Sequence, residues 1–280
     1  MKRQELRVTL PSLLWLLIFV GIPTLLVFGI AFKPSTSHGG IGEGWSLSAI
    51  RSLASSHYPL LLWRTLWISS LTTFLCLCIA LPVAWTMARA SRRAKSWLLL
   101  WVVVPFWTNF LIRVFAWKQI LHAEGFLAGM LKQWHWMEPN ATLLYHPMAV
   151  VIVSVYAFLP FAILPMYAVA EKFDFSLLEA ARDLGAGRLR AIYQIFLPGI
   201  RRGIITAIMV VFIPMLGSYI IPDLVGGKNA EMIGNQIAQR NFSDRNLPQA
   251  AALSAALTLA VLLPFAFRRR PRSDGFVSSG

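Results

Sequence analysis

Ser176-Leu177-Leu178-Glu179-Ala180-Ala181-Arg182-Asp183-Leu184-Gly185-Ala186-Gly187 opens a polar stretch that runs on to Leu197-Pro198, and its reading decides the fold. Ser176 three residues ahead of Glu179 is a capping-box signal, with the hydroxyl on the first turn and the carboxylate reaching back to the cap amide. Leu177, Leu178, Ala181 and Leu184 follow at helical spacing. Gly185 and Gly187 allow a helix to stop and the chain to turn. A second short amphipathic run, Leu189 to Phe196, is closed by Pro198. The stretch predicts helix, sharp turn, helix, a unit able to dock in a groove on a soluble partner.

On both sides of this unit the chain turns apolar. The hydrophobic fraction is 57 % and the charged fraction 14 %, against roughly a quarter charged in soluble domains. The apolar residues come in blocks, and crossing a hydrocarbon core of about 30 Å takes roughly 20 of them. Six spans are expected: Leu10–Phe32, Leu61–Ala88, Trp97–Leu121, Leu143–Ala170, Ile204–Leu224 and Ala250–Phe267. This gives an all-α membrane protein with a short tail over residues 1–9, a six-span domain over 10–267 and a second tail over 268–280. The opening block is too long for a signal-peptide core and has no small-residue cleavage site, so it reads as a retained span.

The net charge of +14 is distributed by side. Seventeen of the 26 lysines and arginines fall in the N-terminal tail, the Arg89–Ser96 connection, the Glu171–Gly203 loop and the C-terminal tail, against six in the alternate connections. Under the positive-inside rule this places both termini and the 171–203 loop in the cytoplasm of an inner-membrane protein. The same clustering explains the basic balance without nucleic acid, for which no binding module is present. Tryptophans toward span ends, such as Trp63, Trp97 and Trp117, suit the headgroup region. Prolines within spans (Pro82, Pro105, Pro160, Pro165, Pro214, Pro222) are expected to kink or unwind helices.

Chemistry is sparse. There is no phosphate-binding loop, HExxH, nucleophile elbow or CxxC pair, and Cys76 and Cys78 point to different faces of one helix. The five histidines (His38, His57, His122, His135, His146) lack metal-ligand spacing. A bond-making enzyme is therefore not expected, nor any cofactor or metal, and energy from ATP would require a separate subunit.

Glu179-Ala180-Ala181, Gly185, Ile195 and Leu197-Pro198 resemble the EAA motif of ABC-importer permeases, E-A-A-x3-G-x9-I-x-L-P, at every fixed position. The resemblance implies the type I ABC-importer permease fold and a coupling element made by Glu179, Ala180, Ala181, Asp183, Gly185, Ile195, Leu197 and Pro198. It further implies a second permease subunit, two ATP-hydrolysing subunits and a periplasmic substrate-binding protein, around a membrane-embedded chain. Val104-Pro105-Phe106-Trp107-Thr108-Asn109, Asp223-Leu224-Val225-Gly226-Gly227 and Ile233-Gly234-Asn235 look like the spermidine/putrescine permease branch. Two stretches depart from it: Leu247-Pro248-Gln249-Ala250-Ala251-Ala252 stands for Trp-Pro-x-Gly-Ala-Ala, and Gly199 replaces an apolar residue after Leu-Pro.

Polyamine cargo is the reading this branch implies; ferric iron, thiamine, a phosphonate or an opine would keep the class. A self-sufficient secondary transporter is the alternative from another class, but it would show inverted repeats and midplane acids. A polyamine is recognised by carboxylates and aromatic faces. Asp223 is the one acid inside the drawn spans, and it either lines the pathway or caps an unwound helix end. Tyr219, Trp107 and Tyr156 are aromatic candidates, and Asn109 a neutral acceptor. Arg113 is the other ionised group in question, with snorkelling to the interface its ordinary explanation.

Overall fold

In the computed structural model the described residues are 3–36, 39–55, 57–136, 138 and 141–267. Lys2, His38 and the basic C-terminal tail from Arg268 onward lie outside them. The helices are α1 (Arg3–Leu16), α2 (Ile22–Ile30), α3 (Ser48–Ser52), α4 (His57–Arg89), α5 (Arg92–Val103), α6 (Phe110–Leu121), α7 (Phe126–Gln133), α8 (Pro147–Ala170), α9 (Ser176–Asp183), α10 (Arg188–Ala191), α11 (Leu197–Gly199), α12 (Arg201–Leu216), α13 (Ile233–Ala238) and α14 (Leu247–Phe267). The chain divides into two compact units, Met1–Ser55 with Ile237–Gly280, and Ser56–Gln236.

In the first unit α1 and α2 join through a π-turn, Leu17–Gly21, into an apolar helix whose side chains point outward; Leu25 is 71 % exposed. A water-facing helix would not carry such a surface, so lipid is its solvent. Its end packs on α14 through small residues, Ala251, Ala252 and Ala255 meeting Ala31 and Ala49. Ser52 Oγ accepts from Gln249 Nε2 at 3.1 Å and ties α3 to the start of α14.

The second unit is built on α4, α8 and α12. The 33-residue α4 runs about 50 Å at 1.5 Å per residue. Its buried face carries Ser69, Thr72, Thr73, Cys76, Ala80 and Ala84. Apolar attraction between helices vanishes in lipid, so close approach through small residues supplies the packing. Against this face α8 sets Val150, Val153, Ser154, Ala157 and Ala162. Gly203 brings α12 equally close to α8: a Cβ there would stand 2.9 Å from the Pro165 carbonyl oxygen.

The six expected spans do not all form as single helices. Among the described residues, Thr9–Ile30, α4 and α8 are long and apolar enough to cross a membrane as single helices. Two helix pairs pass the same test only when each bent pair is taken together: Arg92–Trp107 meets Phe110–Gln133 at 91°, and Arg188–Gly199 meets Arg201–Leu216 at 70°. Leu247–Leu263 adds a shorter apolar helix. The expected third span, Trp97–Leu121, breaks because Pro105 enters a 3-10 turn (Val104–Trp107) and Asn109 then caps a new helix. The expected fifth span, Ile204–Leu224, ends earlier: α12 stops at Leu216, and Pro222–Gly226 forms a separate π-turn. Pro160 and Pro165 interrupt nothing, since α8 is continuous through both.

Candidate functional site

The polar stretch forms the helix–turn–helix, with different capping from that expected. Ser176 is the first residue of α9 and makes no capping box with Glu179. The cap is Asp174, whose Oδ1 accepts from the Ser176 amide at 3.0 Å. The Ser176 hydroxyl and amide together hold the Asp174 carboxyl below the usual carboxylate range. The far end is a Schellman motif: Ala186 N–H donates to Ala181 O at 3.0 Å and Gly185 N–H to Arg182 O at 2.9 Å. Gly185 is the left-handed residue of that motif, with φ +88°. The spacing from Ala181 to Gly185 is therefore the spacing of a helix stop.

After Gly187, α10 runs through a π-turn, Ile192–Phe196, into α11. Pro198 does not close this helix; it sits in the first turn of α11, and the chain bends at Ile200 instead. Four rings fasten the unit to the bundle. Phe196 stands edge-on to Trp85 of α4 at 4.6 Å and to Phe173 at 5.2 Å, and Trp85 meets Phe175 at 5.5 Å. Gly199 follows from this cluster, since a Cβ there would come within 2.5 Å of the Phe173 ring.

The eight residues expected to couple therefore divide by exposure. Ala181, Ile195 and Leu197 pack against the bundle, whereas Glu179, Ala180, Asp183, Gly185 and Pro198 are exposed, beside a fully presented Leu184 at 89 %. One set anchors the unit and the other offers a face.

A latch lies next to it. Lys95 Nζ, in the first turns of α5, meets Glu171 Oε1 at 3.1 Å where α8 ends. The Tyr167 hydroxyl, and after it the Lys95 ammonium, hold the Glu171 carboxyl below its ordinary range. A depressed carboxylate contributes stability above its unfolded pKa and loses it as pH falls through the folded value. Lys95→Met is thus expected to lower the thermal midpoint of the solubilised protein modestly at neutral pH, the pair being partly exposed. That deficit should shrink on acidification as pH falls through the depressed Glu171 value, below the ordinary carboxylate range; a deficit unchanged at low pH would remove the latch.

The five pathway candidates do not converge on one cavity. Asp223 and Tyr219 share one turn, Asp223 N–H donating to Tyr219 O at 2.9 Å, and both are exposed. Among the described residues the Asp223 carboxylate has no hydrogen bond or ion pair, and it caps no backbone amide. Trp107, 77 % exposed, stands at the break between α5 and α6. Asn109 is not a free acceptor: its Oδ1 takes the Leu111 amide at 2.8 Å as the cap of α6. Tyr156 is half-buried on α8 with its ring 5.4 Å from Trp117.

Two further groups acquire partners or surroundings that the sequence does not specify. Asn235 donates from Nδ2 to Tyr219 O at 3.0 Å and accepts from Met232 N–H through Oδ1, while Thr65 Oγ1 of α4 accepts from Ile233 N–H at 2.9 Å. The Ile233-Gly234-Asn235 segment thus positions the Tyr219 turn. Arg113 lies on α6 among aromatic rings. Its guanidinium lies 4.8 Å from the Phe106 ring, beside a cavity of about 270 Å³ shared with Tyr156, and its buried Nε has no hydrogen-bond partner.

The model of the "Binding-protein-dependent transport system inner membrane component" family matches residues 69–269, which include the coupling unit and all five pathway candidates. The chain belongs to this family. As an inner membrane component it is a permease subunit, carrying no enzyme activity of its own. It is 36 % identical to the spermidine/putrescine transport system permease protein PotB of Haemophilus influenzae, over 91 % of this chain and 90 % of that one. It is 34 % identical to PotB of Escherichia coli, over 88 % and 90 %. Its fold matches that of a bacterial ABC transporter involved in alginate import, with TM-score 0.66 over 94 % of both chains at 18 % identity. The inner membrane component thus has the ABC-importer permease fold.

Proposed function

We propose that this inner membrane component carries polyamines, spermidine or putrescine, as one permease of an ATP-driven importer. The observation that carries the reading is the match to PotB along some nine-tenths of both chains. The site agrees with it: the unpartnered Asp223 carboxylate, with Tyr219 one turn away, suits an ammonium group. The subunit pairs with a second, similar permease, two ATPases energise it, and a periplasmic binding protein delivers cargo. The exposed face of α9 docks in the ATPase, and the anchored face transmits the motion to α4 and α8.

The test is uptake of radiolabelled spermidine and putrescine in cells lacking the chain and complemented with it, with ferric iron and thiamine as competitors. Uptake restored by complementation and unaffected by the competitors is expected. Polyamine uptake indifferent to the chain would overturn the cargo.

The distribution of basic residues supports a cytoplasmic position for both termini and the 171–203 loop. Single cysteines at Arg188 and Gly40, in a background without Cys76 and Cys78, are expected to react with an impermeant reagent from opposite sides. Reaction of both from one side would invert or redraw the topology.

A further inference from the structure

Where α4 ends, a cleft of about 450 Å³ opens between Trp85 and Arg89 on one side and the coupling unit on the other, within the roughly 300–1,000 Å³ of small-molecule sites. Arg89, Arg182 and Arg188 line it together with a single carboxylate, Glu179. Among the described residues none of the three guanidiniums has an ion pair or side-chain hydrogen bond; the ion pairs lie elsewhere, at Lys95–Glu171 and Arg240–Asp244. Arg89 is held over two rings, 5.5 Å from the centre of Trp85 and 5.6 Å from that of Phe175. Three guanidiniums beside one carboxylate leave an excess of positive charge, and their forked donors match phosphate oxygens.

We infer that this cleft binds the phosphate headgroup of an anionic phospholipid. Depth favours lipid over a soluble anion. Arg89 is the last residue of a membrane-crossing helix, and Trp85 one turn earlier is the kind of side chain that marks the headgroup layer. Basic pockets between transmembrane helices on the cytoplasmic side are recurrent headgroup sites. An acidic segment of the ATPase is the competing occupant. Of the exposed residues of the unit, Ala180, Asp183, Leu184, Gly185 and Pro198 lie outside the cleft lining, so the docking face and the cleft share only Glu179. A bound headgroup would pin α9 and α10 to the membrane surface, so coupling would depend on lipid charge. The inference requires the cytoplasmic placement of the loop, which the cysteine labelling tests independently.

The experiment is native mass spectrometry of the assembled importer, purified and exchanged into mixed phosphatidylglycerol and phosphatidylcholine. The wild-type complex is expected to retain phosphatidylglycerol preferentially. Arg89→Gln with Arg188→Gln should weaken that retention roughly thirtyfold. Arg89→Lys with Arg188→Lys, keeping the charge, should preserve most of it and shows that the loss is not misfolding. A control, Arg51→Gln, should change nothing. Equal retention in the Gln pair, or no preference for phosphatidylglycerol in wild type, overturns the site. Displacement of the lipid by millimolar inorganic phosphate assigns the cleft to a soluble anion. Loss of the ATPase from the Gln pair with lipid retention intact assigns it to the ATPase.

Discussion

Gly185→Val is expected to reduce ATP-driven uptake at least about tenfold, with the complex still present in the membrane. The reason is conformational rather than steric. Gly185 has φ +88°, and a Cβ built there meets nothing within 4 Å. The left-handed region costs an ordinary L-residue roughly 1–2 kcal/mol, and a β-branched one more. That cost falls on the Schellman turn, where Gly185 and Ala186 close α9 onto Arg182 and Ala181. Unwinding the turn would move Glu179, Asp183 and Leu184 off the face offered to the ATPase. Because space is open, a substitution series isolates the backbone term: activity should fall in the order Gly, Asn, Ala, Val, since Asn tolerates the left-handed region best of the non-glycines. Uptake by reconstituted importer, normalised to the amount of complex, reads the series. A wild-type rate in Gly185→Val would mean that the turn does not couple.

The same turn shows what the sequence carries legibly and what it does not. A helix stop four residues after Ala181 is a local property, so Gly185 could be assigned from spacing alone. The start of α9 was misread because Ser176 with Glu179 and Asp174 with Ser176 are both acceptable local signals, and only packing chooses between them. In the structure Phe173 and Phe175 turn inward against Phe196 and Trp85, which leaves Asp174 at the cap.

Hydropathy reports the solvent of a segment and not its direction. It therefore finds the apolar blocks and, through Pro105, a disruption inside 97–121, but not the 91° turn that follows. Pro105 and Asn109 together mark the break, and each alone is common in spans. The value of Arg113 was out of reach because its guanidinium rests on Phe106 and Phe110 and borders a cavity beside Tyr156. The Phe110 contact is made within α6, while the Phe106 contact and the cavity beside Tyr156 follow from the break at Val104–Trp107. Asn235 was hidden in the same way: its partner, Tyr219 O, is freed for bonding by the end of α12 at Leu216.

Asp223→Asn is expected to cut polyamine uptake by about ten- to a hundredfold, the worth of one charge-assisted contact. Two accounts of this carboxylate make opposite forecasts. If it caps freed amides, Asn keeps a side-chain oxygen and should work nearly as well. If it meets an ammonium group, Asn keeps the shape and loses the charge. The geometry favours the second: the carboxylate is exposed in the Pro222–Gly226 turn and among the described residues accepts from no amide, and the residue's own N–H is already spent on Tyr219 O. An ionised group in or near the membrane is costly, roughly 2.5–3.5 kcal/mol at a helix centre, so a carboxylate kept without a protein partner points to one supplied by cargo. Tyr219 extends the test. Tyr219→Phe retains the ring face and should transport nearly normally, while Tyr219→Leu should lose uptake by a smaller factor than Asp223→Asn. Each variant must first show wild-type membrane levels and ATPase assembly. Uptake near wild type in Asp223→Asn, with loss confined to Asp223→Ala, would return the residue to a capping role and move the cargo path elsewhere.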